Sequence, residues 1–192
     1  MKQFINLLVA AICSTPSFGQ SSKEIQFSST LKTVVIALKN RDSLTLSKYI
    51  AKKTGVYILH VIGVFQTYKQ FNTLGFSDTT YPNAPFYDHV RLTRLQYSTL
   101  PTFDCEKWSK DGTFVDTTRT NHLLSKIAKE INLQSKRKIS PKTINYFYKL
   151  ENASRRVVIT GTIGSELILY LTYINGKWML TIIDKATCDC SV

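Results

Sequence analysis

Residues 155–192 read RRVVITGTIGSELILYLTYINGKWMLTIIDKATCDCSV. Three runs rich in β-branched, leucine and aromatic residues are separated by two-residue turns, Gly164-Ser165 and Asn175-Gly176. Asn-Gly supplies the two positive φ angles of a type I′ hairpin and Gly-Ser suits type II′, so a three-stranded antiparallel meander is expected. Loop length sets the register: Tyr173 faces Trp178, Leu171 faces Leu180 and Leu169 faces Ile182. In that register Asp184 ends the third strand on the face of Trp178, Leu180 and Ile182. The middle strand is apolar on both sides, with Leu167, Leu169, Leu171 and Tyr173 on one and Ile168, Tyr170 and Ile174 on the other. A sheet with one wet face would alternate with polar residues. Both sides therefore need cover, from a strong curl around a core, a second layer, or a homodimer through the outer sheet face.

Upstream, Ser140-Pro141 reads as cap and first residue of a helix carrying Ile144, Phe147, Tyr148 and Glu151, although the alternation Tyr146, Tyr148, Leu150 also fits a strand. Thr120 opens the clearest helix, with Leu123, Leu124, Ile127, Ala128 and Ile131 on one face. Phe103 to Trp108 and Asp111-Gly112 form a tight turn region. Val56–Ile62 has strand composition, with Gly63 as a break or bulge. Val90 to Tyr97 reads as a second, bulged strand. Residues 72–89, with Pro82 and Pro85, read as a long loop. At the start, residues 20–28 are a polar lead-in. Ser28 or Ser29 caps a helix bearing Leu31, Val34, Val35 and Leu38, and Asp42 caps a shorter one bearing Leu46, Tyr49 and Ile50. The expected fold is one α+β domain over residues 20–192: a curled antiparallel sheet ending in the meander, with helices packed on one face.

Residues 1–19 have the form of a signal peptide: Lys2, an apolar run from Phe4 to Ile12, and small residues at Ser17 and Gly19. Ile12 stands where lipid attachment at Cys13 would require a small residue, so processing before Gln20 is expected in preference to lipidation. An exported protein, periplasmic or secreted, follows. With 43% apolar and 20% charged residues the chain belongs to the folded class. The formal net charge is +12. Lysines spread over solvated faces account for it; the sharper reading is attraction to an anionic envelope component. Nucleic acid is not an expected partner, because the densest basic run, Lys136-Arg137-Lys138, lacks interleaved aromatics.

Leu31 to Ile50, with its Asn40-Arg41-Asp42 corner, resembles the opening of nuclear-transport-factor-like α+β cone domains, and Tyr173-Ile174-Asn175-Gly176-Lys177-Trp178 resembles their final hairpin. Trp178 to Ser191 is also similar to uncharacterised exported bacterial proteins that finish with Asp-Cys-Ser. The resemblance implies a curled, cone-like sheet in a family that includes small enzymes as well as ligand-binding modules without catalysis.

Three cysteines remain after the leader: Cys105, Cys188 and Cys190. In an oxidising compartment a disulfide between Cys105 and one of the terminal pair is expected, worth about 4 kcal/mol for so long a loop. If the last strand continues, Cys188 and Cys190 lie on one side about 6.5–7 Å apart and cannot both reach Cys105. A zinc site of the three thiols with a histidine is the rarer alternative, its C-x-C spacing one residue short of common zinc knuckles. His60 reads as a core residue and His122 as solvent-facing. His89 adjoins Asp88 and is the one histidine with a carboxylate neighbour. Asp184 is read either as paired with Arg155 or Arg156, or as a pocket acid. No glycine-rich phosphate loop, nucleophile elbow or zinc-protease motif is present. No cofactor or metal is expected, and the leading function is a non-catalytic ligand-binding, partner-binding or structural module. The alternative is a small hydrolase or isomerase using Asp184 or His89 as acid or base.

Overall fold

The computed structural model describes residues 18–76, 87–118, 121–134, 138–162 and 166–190, with side chains from Ser22 onward. Residues 1–17 with Cys13, over which most of the expected signal peptide falls, most of the expected 72–89 loop, the Gly164-Ser165 turn and Lys136-Arg137 lie outside the described residues. The elements run α1 (Phe18–Lys39), α2 (Ser43–Ser47), β1 (Val56–Ile62), β2 (Phe65–Phe71), β3 (Leu95–Tyr97), β4 (Thr113–Val115), α3 (Leu123–Gln134), α4 (Pro141–Asn152), β5 (Ser154–Ile159), β6 (Leu167–Ile174) and β7 (Lys177–Asp184). The fold is α+β. The described strands form one open sheet in the order β2-β1-β7-β6-β5-β4-β3, mixed because β1 runs parallel to β7 and β3 parallel to β4.

Local chemistry explains much of this. Asn175 and Gly176 both have positive φ, as a type I′ turn requires. Ser140 caps α4 by accepting from the Thr143 amide at 3.1 Å, and Pro141 takes the first helical position, where no amide is needed. Asp42 caps α2 through the Thr45 amide at 2.9 Å.

The two apolar sides of β6 are each covered within the chain. Leu167, Leu169 and Leu171 join a core with Phe27, Leu31 and Leu38 of α1 and Leu46 of α2. Ile168 and Tyr170 join a second core with Leu124 and Ile127 of α3 and Phe147 of α4. The face for which a partner subunit was one option thus carries α3 and α4.

The meander departs from its expected register at one residue. Tyr173 faces Trp178 and Leu171 faces Leu180, but Tyr170 faces Ile182 and Leu169 faces Ile183, so Thr181 is the extra residue of a β-bulge. Its fully buried hydroxyl starts a relay: Thr181 to Thr172 at 2.6 Å, Thr172 to Ser154 at 2.6 Å, and Ser154 to the Leu150 carbonyl at 2.7 Å. A one-residue slip moves every later side chain to the opposite face. Ile182 and Asp184 therefore point to the α3–α4 side, away from Trp178 and Leu180.

Three other expectations change. α1 begins at Phe18, so residues 20–28 are helical, not a polar lead-in. Tertiary contacts hold its first turns. Phe27 is fully buried edge-on to Trp178 at 5.0 Å, Glu24 receives both ends of the Arg155 guanidinium, and Trp178 Nε1 donates to the Lys23 carbonyl at 3.2 Å. The strand expected over 90–97 shortens to β3, with no regular structure over 91–94. β2 was not expected at all. Gly63, with φ +59°, turns β1 straight into it through a two-residue loop.

Candidate functional site

The segment Phe103–Trp108 organises the candidate residues. Phe103 bridges to Trp108, and Asp104 accepts from the Glu106 amide at 3.1 Å and the Lys107 amide at 2.8 Å. Cys105, at the tip, has a positive φ and is joined to Cys190. Two clefts flank this turn. The smaller, about 410 Å³, is lined by Cys105, Cys190, Cys188, Asp184, Lys185 and Glu166. The larger, about 1330 Å³, is lined by Glu106, Lys107 and Trp108 together with His89, Arg91 and Lys39.

Asp184 and His89 therefore line different clefts. Asp184 is buried and each of its oxygens is occupied. Oδ1 accepts from the amides of Ala186 (3.1 Å) and Thr187 (2.9 Å); Oδ2 accepts from the Thr187 hydroxyl (2.6 Å) and Arg156 Nη2 (3.3 Å). Of the two arginines the sequence offered it, Arg156 is the partner. Arg155, its neighbour on β5, points to the other face and binds Glu24. His89 is exposed, and the carboxylate of Asp88 is turned to Arg41 at 3.2 Å. A dyad of Asp88 and His89 is not what the geometry presents.

The cysteines resolve through the path of the tail. β7 ends at Asp184, and the carboxylate turns the chain by holding the amides of Ala186 and Thr187. The strand does not run on through 188 and 190. Cys190 thereby meets Cys105, their Cα atoms 5.7 Å apart, and Cys188 stays a free thiol. Burial, then the charges of Glu166 and Asp184, push the Cys188 thiol up to about 12, only partly offset by Arg156. At neutral pH it is protonated and a poor nucleophile. No group of three His, Cys, Asp or Glu placed to hold a metal occurs among the described residues.

The remaining polar groups on the α3–α4 side tie the helices to one another and to the sheet. Glu151 of α4 is buried and caps α3 by accepting from the amides of Leu124 (2.6 Å) and Ser125 (3.2 Å); burial raises its pKa despite those bonds. Tyr170 Oη donates to Asn121 Oδ1 at 2.8 Å just before α3, and burial holds its pKa well above the usual phenol value. His122, expected to face solvent, is half-buried. It stacks on Tyr148 at 4.4 Å and hydrogen-bonds Asn152 at 2.8 Å. His60 is buried in β1 as expected, its pKa lowered by that burial. Sequence reasoning missed the Glu151 cap, since helix capping is sought within a few residues and this cap comes from 27 positions away.

Compared with protein-family models, curated proteins and solved structures, the chain matches none of them. The chemistry of the site has to be read from its own geometry. That geometry offers a saturated carboxylate, a protonated thiol and a disulfide in one cleft, and scattered charges in the other.

Proposed function

We propose that the protein is an exported, non-catalytic module that binds an anionic component of the cell envelope. The formal net charge of +12 supports the anionic partner, and the state of Asp184 carries the non-catalytic reading. Four donors surround a carboxylate that would otherwise be the best acid or base candidate, and such a group has no lone pair left to move a substrate proton. The raised pKa of Cys188 and the separation of His89 from Asp184 into another cleft support it. So does the resemblance of Leu31–Ile50 and Tyr173–Trp178 to cone domains that bind without catalysis. Export is supported by the Cys105–Cys190 bond, since lasting disulfides belong to oxidising compartments, and by the form of residues 1–19. No described helix is long and apolar enough to cross a membrane.

Calorimetric titration of the unreduced protein with a phosphorylated envelope glycolipid, a neutral glycan and an anionic lipid dispersion tests the proposal. Saturable, salt-sensitive heat with either anionic ligand and none with the neutral glycan is expected. Absence of binding to both anionic ligands would remove the reading.

A further inference from the structure

The β1–β2 hairpin and the junction of α3 with α4 meet along one edge of the sheet. No acidic residue occurs between Asp42 and Asp78, or between Glu130 and Glu151. The fold lays these two segments side by side. α3 packs beside β2, and Tyr146 Oη donates to Thr54 Oγ1 at 3.2 Å. Gln70 Nε2 donates to the Thr54 carbonyl at 2.9 Å. Ile131, Gln134 and Ile139 form one wall of a groove of about 610 Å³ whose other wall is β2. Lys69 lines this groove and Lys138 precedes Ile139, both exposed; Lys52, Lys53 and Lys142 are exposed as well, Lys52 and Lys53 before β1 at the end of the hairpin opposite its Gly63-Val64 turn.

The tip of the hairpin adds the second ingredient. Ile62, Val64 and Phe65 are 62%, 64% and 52% exposed, and Leu133, in the last turn of α3, is 85% exposed. Two-residue hairpin loops ordinarily carry Gly, Asn, Asp or Ser, for which water is a good solvent. Here the loop is Gly63-Val64 between Ile62 and Phe65. β2 is the edge of the sheet, so no further strand pairs beside it among the described residues. An exposed apolar patch rimmed by polar groups marks an interaction site. A protein partner would not need an acid-free surround, and a soluble polyanion would gain nothing from a projecting apolar turn. Both features suit a bilayer, whose headgroup boundary accepts apolar side chains while its phosphates attract lysine.

We propose that this edge of the sheet docks the protein onto an anionic lipid bilayer, with Ile62, Val64 and Phe65 entering the headgroup region and Lys69 and Lys138 meeting lipid phosphates. It rests on the reading of an anionic envelope partner and names which one. The test uses protein produced from the full-length sequence, purified without reductant and co-sedimented with vesicles of phosphatidylglycerol and phosphatidylethanolamine, or of phosphatidylcholine alone. Affinity about tenfold or more higher for the anionic vesicles, falling with salt, is expected. The double change Val64→Asp with Phe65→Ser, and separately Lys69→Glu with Lys138→Glu, should each weaken that affinity about tenfold or more. Circular dichroism and Tm should match wild type, because every altered side chain is exposed. Undiminished binding by either variant set, or equal binding to both vesicle types, overturns the docking surface. If vesicles are not bound while the phosphorylated glycolipid headgroup in solution is, the docking surface falls and the binding module stands. If neither is bound, both fall.

Discussion

Replacing Asp184 with Asn tests whether this carboxylate is structural. The side chain of Asp184 is 0% exposed and that of Arg156 11%. In the variant the amide oxygen takes the place of Oδ1 and keeps the Ala186 and Thr187 amides. The new NH2 group then faces the Thr187 hydroxyl and the Arg156 guanidinium, both donors. The hydroxyl can rotate to accept, but the guanidinium is left buried without its counter-charge. Breaking a buried pair on one side costs about 3–5 kcal/mol. The lower figure applies here, because Arg156 keeps some exposure and a 3.3 Å contact with Thr187. A loss of about 3 kcal/mol corresponds to roughly 6–12 °C in Tm for a chain of this size. Urea denaturation at neutral pH reads it as a lower midpoint at unchanged slope. Arg156→Met alone should also destabilise, and the double variant should recover about 2 kcal/mol relative to the sum of the singles. If Asp184→Asn falls within about 0.5 kcal/mol of wild type, or the cycle shows no coupling, the carboxylate is not structural and the case against an acid–base role collapses.

Three further outcomes follow from the geometry. Removing the disulfide as Cys105→Ser with Cys190→Ser opens a closure spanning 85 positions and should lower stability by about 4.5 kcal/mol in urea titrations; a loss under about 1 kcal/mol would mean that the turn at Asp184 pins the tail unaided. Cys188, with its thiol raised to about 12, should react with iodoacetamide at pH 8 about a thousandfold more slowly than an ordinary cysteine, and an ordinary rate would contradict its burial. The hydrogen bond from Arg155 depresses the pKa of Glu24, so the pair adds stability above the ordinary carboxylate value of 4.5 that is lost as pH falls through the folded value. Glu24→Gln should cost about 1 kcal/mol or less at neutral pH, the pair being partly exposed, and should flatten the acid limb of the stability profile. A profile parallel to wild type would show that the pair contributes nothing.

Several elements were legible because the interactions that set them span only a few residues. Asn175-Gly176 carries its own φ angles, Ser140-Pro141 and Asp42 cap the helices that follow them, and the apolar stripe of α3 follows from 3.6-residue periodicity. β2 was not legible because its aromatics Phe65, Tyr68 and Phe71 recur every third residue, and because Gly-Val is a far weaker hairpin signature than Asn-Gly. The first turns of α1 look polar in isolation; what holds them is Arg155 and Trp178, more than a hundred positions away.

From the order of residues alone came the α+β class, the meander with its I′ turn, and the expectation that Cys105 pairs with one of two terminal thiols. Tertiary structure settled which thiol it is, which arginine Asp184 holds, and which side of the sheet that pair occupies. The reason is the bulge at Thr181. No local signal marks it, because its hydroxyl is satisfied only after β5, β6 and α4 have brought Ser154, Thr172 and the Leu150 carbonyl alongside. The displacement of a single residue there turns Asp184 toward Arg156 and the Cys105 turn.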